Sequence, residues 1–160
     1  MKHNTAITRA CSASATIQWL YGKLDTLAPL GFLLLRVWVA YAFWKSGYLK
    51  ITSWDSTIYL FENEYAVPFL PPEIAAYIAT FIELVFPALL VIGLGGRMSA
   101  FVLFVFNIMA VVSYPALEGA SARDHQVWGL MLLVLTLSGP GMLSLDHWIK
   151  RRCSRRTTPM

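Results

Sequence analysis

Long apolar stretches constrain this chain more than any other feature of its sequence. Four segments carry few charged side chains, and they lie at about residues 30–48, 74–94, 98–117 and 126–138. At a helical rise of about 1.5 Å per residue, each of the first three reaches about 30 Å, the thickness of a bilayer's hydrocarbon core. The fourth reaches that length only if its helix begins near Asp124. The sequence therefore predicts an all-α fold, a four-helix transmembrane bundle.

The composition agrees with this prediction. Hydrophobic residues make up 57% of the 160-residue chain and charged residues only 14%, whereas a soluble domain has about 25% charged residues. A globule of this size could not bury so much apolar surface, but lipid tolerates apolar side chains on the outside of a bundle. We therefore expect the lipid membrane to be the main partner of the chain.

The segments flanking the four spans are expected to lie at the membrane surface. In residues 14–27 apolar side chains recur at steps of three and four, which predicts a short amphipathic helix ending before Pro29. Ser144 is expected to cap a short last helix at residues 145–152. The predicted parts are an N-terminal segment with the amphipathic helix, a four-span membrane domain and a basic tail, at residues 1–29, 30–149 and 150–160.

The distribution of charge predicts the orientation. Basic residues concentrate in both terminal segments and at the glycine-rich turn before Arg97, while the two longer loops are mainly acidic. By the positive-inside rule, both termini and this turn are cytoplasmic. The basic tail directly follows a membrane segment, so we expect it to contact anionic lipid and not nucleic acid.

Three polar residues inside the spans are candidate functional residues, because a charge in hydrocarbon is costly unless it is paired or hydrated. Counting depth from the span ends places Glu83 and Asn107 near the midplane and Arg36 about 9 Å from the cytoplasmic end. An Arg36–Glu83 pair with a hydrogen bond from Asn107 is therefore predicted. Two interpretations stay open: a structural pin between helices, or a polar pocket for a lipid-soluble head group or a relayed proton.

A helical wheel of the first span predicts which of its faces points inward. Arg36, Gly47 and Lys50 fall within about 40° of one another, so we place them on one stripe facing the bundle interior. Lys45 falls on the opposite face and is expected to reach toward the headgroups.

A second candidate group stands at the outer end of the fourth span. Asp124, His125 and Gln126 could cap that helix or bind a ligand, and the residues do not decide between the two. Asp146 and His147 are expected to be solvated at the cytoplasmic surface. No metal site is predicted, and haem is not expected because no histidine lies in mid-membrane.

Several motifs together resemble those of the DoxX family of four-helix membrane proteins, over roughly Leu30 to Trp148. They are Leu34-Leu35-Arg36, Gly47-Tyr48-Leu49-Lys50, Glu83, Gly93-Leu94 with Arg97, and Gly139-Pro140-Gly141-Met142-Leu143-Ser144-Leu145-Asp146. The resemblance implies a bacterial cytoplasmic membrane and an association with redox chemistry. Relatives are membrane subunits of thiosulfate:quinone oxidoreductase or partners of oxidative-stress enzymes.

The resemblance leaves two functions open. The first is a quinone-linked or membrane-anchoring subunit of a redox system, without an intrinsic cofactor, in which Arg36, Asn107 or Lys50 would hydrogen-bond a bound quinone. The second is a non-catalytic accessory protein in a copper-responsive peptide system, because the Asp124-His125-Gln126-Val127-Trp128 and Ser-Leu-Asp motifs are similar to those of DoxX-type members beside such systems. Either function implies a partner protein, and homo-oligomerisation stays open.

Overall fold

Six helices make up the described structure, a computed structural model. It describes the backbone of residues 2–65, 67–114, 119–139 and 141–156, and the side chains of these except at 2–17, 20, 120 and 154–156. The helices are α1 (Lys2–Thr52), α2 (Trp54–Asn63), α3 (Pro72–Ile92), α4 (Gly96–Ser113), α5 (Gly119–Ser138) and α6 (Leu145–Arg156). No strand occurs within these ranges, so the predicted all-α class is confirmed.

Four of the helices form a closed bundle. α1 packs on α3, α3 on α4, α4 on α5, and α5 returns to α1. The buried centre is aliphatic and aromatic, and includes Val39, Phe43, Leu90, Leu103, Leu132 and Leu135. We call the end of the bundle with the turn between α3 and α4, and with α6, the turn end. The opposite end, with α2 and the connection between α4 and α5, is the loop end.

The outer surface of the bundle is suited to lipid. Residues 21–52 of α1, all of α3 and all of α4 are long and apolar enough to cross a membrane. α5 has 20 residues, about 30 Å of helix, but its first turns carry Arg123 and Asp124, and it does not belong to this apolar group. A helical membrane bundle is therefore confirmed, and the crossing by α5 stays a prediction.

The N-terminal part of the prediction is wrong in one respect. The amphipathic segment is not a separate helix, because α1 runs without a break through Pro29. A proline removes one backbone hydrogen bond, and the bonds on either side of it can still hold the helix together. The large apolar side chains that the structure describes in this segment are exposed, namely Trp19, Tyr21, Leu24 and Leu27.

At the other boundaries the structure follows the sequence more closely. α3 begins after Pro71 and α6 begins at Leu145, where the backbone N–H of His147 donates to the Ser144 hydroxyl at 3.2 Å. α6 continues to Arg156, beyond its predicted end. α2 was not predicted. The expected end of the third span at Leu117, and the tail residues 157–160, lie outside the described residues.

The contact between α1 and α3 depends on Gly47. A Cβ atom at this position would lie 2.9 Å from Glu83 Cβ and 3.0 Å from Leu84 Cγ. Glu83 Cβ is bonded to the α3 backbone, so it cannot move aside without moving that helix. The absent side chain of Gly47 therefore sets how closely the two helices approach, as small residues commonly do in membranes.

We expect Gly47→Ala to destabilise the bundle, by about 1–3 kcal/mol, because overpacking forces α1 and α3 apart. Thermal unfolding of the purified protein in detergent measures the effect. Gly31→Ala is the matched control, since Gly31 lies on the same helix with no atom within 4 Å of its would-be Cβ. Equal melting temperatures for the two variants would contradict the close contact.

Candidate functional site

The register of α1 against α3 separates Arg36 from Glu83. Glu83 lies level with Gly47, whereas Arg36 lies level with Gly93 at the end of α3. Gly47 is eleven residues beyond Arg36, or about 16 Å along the helix axis. The predicted Arg36–Glu83 pair is therefore wrong. The depth estimate failed because it counted Arg36 inward from Leu30, whereas the register of α1 against α3 places Arg36 at the very end of α3.

Glu83 pairs instead with Lys50. Lys50 Nζ lies 2.6 Å from Glu83 Oε2, and it donates a second hydrogen bond to Ser46 Oγ at 2.9 Å. The Ser46 hydroxyl is 3.3 Å from the other carboxylate oxygen, Oε1. The side chains of Lys50 and Glu83 are 16% and 7% exposed, so this pair is largely shielded from solvent and lipid. The predicted inward stripe of α1 is confirmed, because Arg36, Gly47 and Lys50 all turn toward the bundle and Lys45 is exposed.

The side chain of Arg36 lies at the turn end of the bundle and forms its contacts there. Its side chain is 0% exposed, and its Nη2 donates to the backbone carbonyl of Leu143. A Cβ at Gly93, where φ is +74°, would collide with Arg36 Nη1 and with Ser144. Arg36 thus ties α1 to the segment between α5 and α6, more than a hundred residues away in sequence. This supports the interpretation of Arg36 as a structural pin, although its partner is not Glu83.

Asp146 completes this turn-end contact. Its two carboxylate oxygens accept hydrogen bonds from the backbone N–H groups of Gly95 and Gly96, both at 2.9 Å. The backbone N–H of Asp146 donates to the Gly93 carbonyl at 3.1 Å. The expectation that Asp146 is simply solvated is wrong, because it caps the start of α4.

Asn107 and His125 form a second polar pair, between α4 and α5. Asn107 Nδ2 donates to the His125 carbonyl at 2.9 Å, and His125 Nδ1 lies 2.8 Å from Asn107 Oδ1. Since the amide oxygen only accepts, this network assigns the proton of a neutral His125 to Nδ1 and leaves Nε2 as an acceptor. Asn107 does not bond Glu83, so that part of the prediction is also wrong. Asp124 and Gln126, the neighbours of His125, are exposed.

A cavity of about 490 Å³ lies in the loop-end half of the bundle, beside the Lys50–Glu83 pair and His125. We call it the loop-end cavity. Its polar lining includes Ser46, Lys50, Glu83 and His125, and most of its remaining wall comes from apolar side chains of α3 and α4. Ser113 also lines it, with a buried hydroxyl that has no hydrogen-bond partner among the described residues. Such an arrangement suits a molecule with a polar head and an apolar body.

Aromatic residues close the cavity toward the loop end. The rings of Phe61 and Tyr65 are 4.8 Å apart, and those of Tyr65 and Tyr114 are 5.0 Å apart. All three residues line the cavity. The Tyr114 hydroxyl donates a hydrogen bond to the Glu64 carboxylate, and this bond raises the pKa of Tyr114. The segment after α2 is thereby held against the end of α4.

The structure thus brings together some predicted site residues and separates others. Lys50, Glu83 and His125 line one cavity, Asn107 orients His125, and Gly47 lets the helices approach. Ser46 and Ser113 were not predicted from the sequence. Ser46 lies four residues before Lys50, on the same helical face, and this spacing was the available signal. Among the described residues, no group of three or more His, Cys, Asp or Glu side chains could hold a metal ion.

Comparisons with known proteins point to one family. Residues 31–116 match the family model described as DoxX, a range that begins in α1 and includes α2, α3 and α4. An uncharacterized protein of Haemophilus influenzae is 32% identical over 131 residues, which cover 76% of this chain and 85% of that relative. No solved structure matches the chain.

A pair of double-mutant cycles distinguishes the observed pairing from the predicted one. For Lys50→Met with Glu83→Gln, we expect a coupling free energy of about 1–3 kcal/mol, because the two side chains interact directly. For Arg36→Met with Glu83→Gln, we expect the two effects to add within about 0.5 kcal/mol, because these residues are far apart. Unfolding in detergent gives the values. Strong coupling in the second cycle and none in the first would overturn the register described above.

Proposed function

The chain belongs to the DoxX family, and we propose that its loop-end cavity binds a lipid-soluble molecule of the quinone class as part of a redox system. The observation that carries this proposal is the combination in one cavity of a shielded Lys50–Glu83 pair, His125 and an unpartnered Ser113 hydroxyl with otherwise apolar walls. Among these groups the Ser113 hydroxyl is buried without a hydrogen-bond partner in the described residues, and a polar group in that state is costly until a ligand binds to it.

The polar lining fits the head group of a quinone. Lys50 Nζ has three protons, and its two partners, Glu83 and Ser46, use two of them. The third proton and the Ser113 hydroxyl can donate to a ring carbonyl. His125 Nε2 can accept from a ring hydroxyl, because Nδ1 is bonded to Asn107. The chain thus offers donors for the oxidised ring and an acceptor for the reduced one.

The rest of the cavity fits the apolar part of such a molecule. Its volume of about 490 Å³ lies within the range of about 300–1,000 Å³ typical of small-molecule sites. Side chains such as Ile78, Ile82, Val102 and Val105 line it, on the two helices between which an isoprenoid tail would pass into lipid. A quinone supplies two-electron, two-proton carrier chemistry when bound. The residues described here bind and orient it and exchange protons at Nε2 of His125.

The proposed setting is the cytoplasmic membrane of a bacterium, with α5 as a fourth span and both termini in the cytoplasm. The basic residues at the turn end support this orientation. In this role the chain is a quinone-linked or anchoring subunit, and a partner protein brings the redox centre that exchanges electrons with the quinone. In the alternative role, as an accessory protein of a copper-responsive peptide system, the chain would bind its partner without a quinone.

We expect the purified protein to bind decylubiquinone, a short-tailed quinone, measured by isothermal titration calorimetry in detergent. Ala110→Trp should weaken binding at least about tenfold, corresponding to about 1.4 kcal/mol, because it fills the cavity. Val111→Trp is the matched control, one position along α4 and exposed. Equal binding by these two variants would contradict the site.

A second matched pair tests the polar head. His125→Ala should weaken binding about three- to tenfold, through the loss of one hydrogen bond. The neighbouring Asp124→Ala should bind as the unaltered protein does, because Asp124 is exposed and does not line the cavity. A soluble partner that co-purifies stoichiometrically with a protein that binds no quinone would favour the accessory role.

A further inference from the structure

A second cavity lies at the turn end, about 420 Å³ in volume, between the start of α4, the end of α5 and the start of α6. We propose that it is a binding site for the phosphate of an anionic phospholipid headgroup. It is separate from the loop-end cavity and has no part in the proposed quinone function. Its basic wall consists of Arg97, His147 and Lys150, which come from two helices distant in sequence.

The charge of this cavity favours an anion. Asp146 also lines it, but both of its carboxylate oxygens already accept backbone N–H groups at the turn. Among the described residues, neither Arg97 nor Lys150 forms a salt bridge. Two cations therefore face a cavity whose one acidic side chain is engaged in holding the fold. A phosphate diester carries the charge and the acceptor oxygens that match them.

The geometry holds the basic groups in place. Gly139 adopts φ +86°, and a Cβ there would lie 2.9 Å from Arg97 Nε, so the backbone of this glycine borders the guanidinium group. His147 presents a different feature: its Nε2 atom is buried and has no hydrogen-bond partner among the described residues. His147 thus adds an imidazole ring to the wall of the cavity beside the two cations.

The position of the cavity favours a lipid as the source of the phosphate. α4 begins at Gly96 and α5 ends at Ser138, so in the proposed four-span topology the cavity lies where both helices leave the hydrocarbon. Apolar side chains beside it, Met142 and Leu143, are exposed. On α6, Trp148 lies under the guanidinium group of Arg152 at 4.0 Å, and Trp is typical of the membrane interface. Acyl chains would thus extend past exposed apolar residues while the phosphate enters the cavity.

Native mass spectrometry of the full chain, released from detergent, tests the proposal. The probes are phosphatidylglycerol and phosphatidylcholine with identical acyl chains. We expect tighter binding of phosphatidylglycerol, and a loss of about tenfold in its affinity for the double variant Arg97→Gln/Lys150→Gln. Affinity for phosphatidylcholine should fall much less, because its choline cation already offsets the charge of its phosphate. The control is Lys45→Gln/Arg151→Gln, which removes the same charge from two exposed residues that do not line the cavity.

The other possible results of this experiment each support or overturn the proposed phospholipid site. Equal losses in the two double variants, or equal affinity for the two lipids, would overturn the site. Retention of phosphatidylglycerol in excess inorganic phosphate supports a lipid ligand, whereas its displacement would identify free phosphate and overturn the lipid assignment. Should the double variant fail to keep its helical circular dichroism, Lys150→Gln alone, at an exposed position on α6, should still weaken phosphatidylglycerol binding severalfold, and an unchanged affinity would count against the site.

Discussion

A charged side chain buried between membrane helices must meet its partner at its own depth, and this constraint governs the bundle. Lys50 and Glu83 satisfy it because α1 and α3 run antiparallel with Gly47 beside Glu83. A shift of one helical turn, about 5.4 Å, would separate the charges and place a larger side chain against α3. The ion pair and the glycine contact therefore specify the same register, and this agreement selects one arrangement of the two helices.

The sequence predicted the elements and their faces well for physical reasons. Apolar length marks the membrane helices, proline at a helix start marks α3, and Ser144 marks the start of α6. The wheel of the first span correctly turned Arg36 and Lys50 inward, because the faces of a helix depend only on local spacing. These features are local, so they can be read from neighbouring residues alone.

The pairing of the polar residues could not be predicted in the same way. It depends on where each helix enters the bundle, and the apolar segment of α1 continues well outside it, to Tyr21. The depth of Arg36 was counted from the start of the apolar segment, and this starting point misplaced Arg36 by several residues. Asn107 and His125 were assigned to separate groups for the same reason, although one side chain orients the other. The structure therefore brings several of the predicted residues together at one cavity, but it pairs them differently from the prediction.

The two ends of the bundle use their polar groups differently. At the turn end, the side chains of Arg36 and Asp146 form hydrogen bonds with backbone groups, and these bonds fix the connections between helices. At the loop end, small residues such as Ala79, Ala110 and Ser113 leave the space that becomes the cavity. In lipid, no hydrophobic force drives the helices together to close this space. While the cavity is empty, the side chains that line it make fewer dispersion contacts. In the proposed function, an apolar molecule that enters from the bilayer would recover those contacts, and its polar head would engage Lys50, Ser113 and His125. The membrane itself thus supplies both the reason for the cavity to stay open and the phase from which the proposed ligand would arrive.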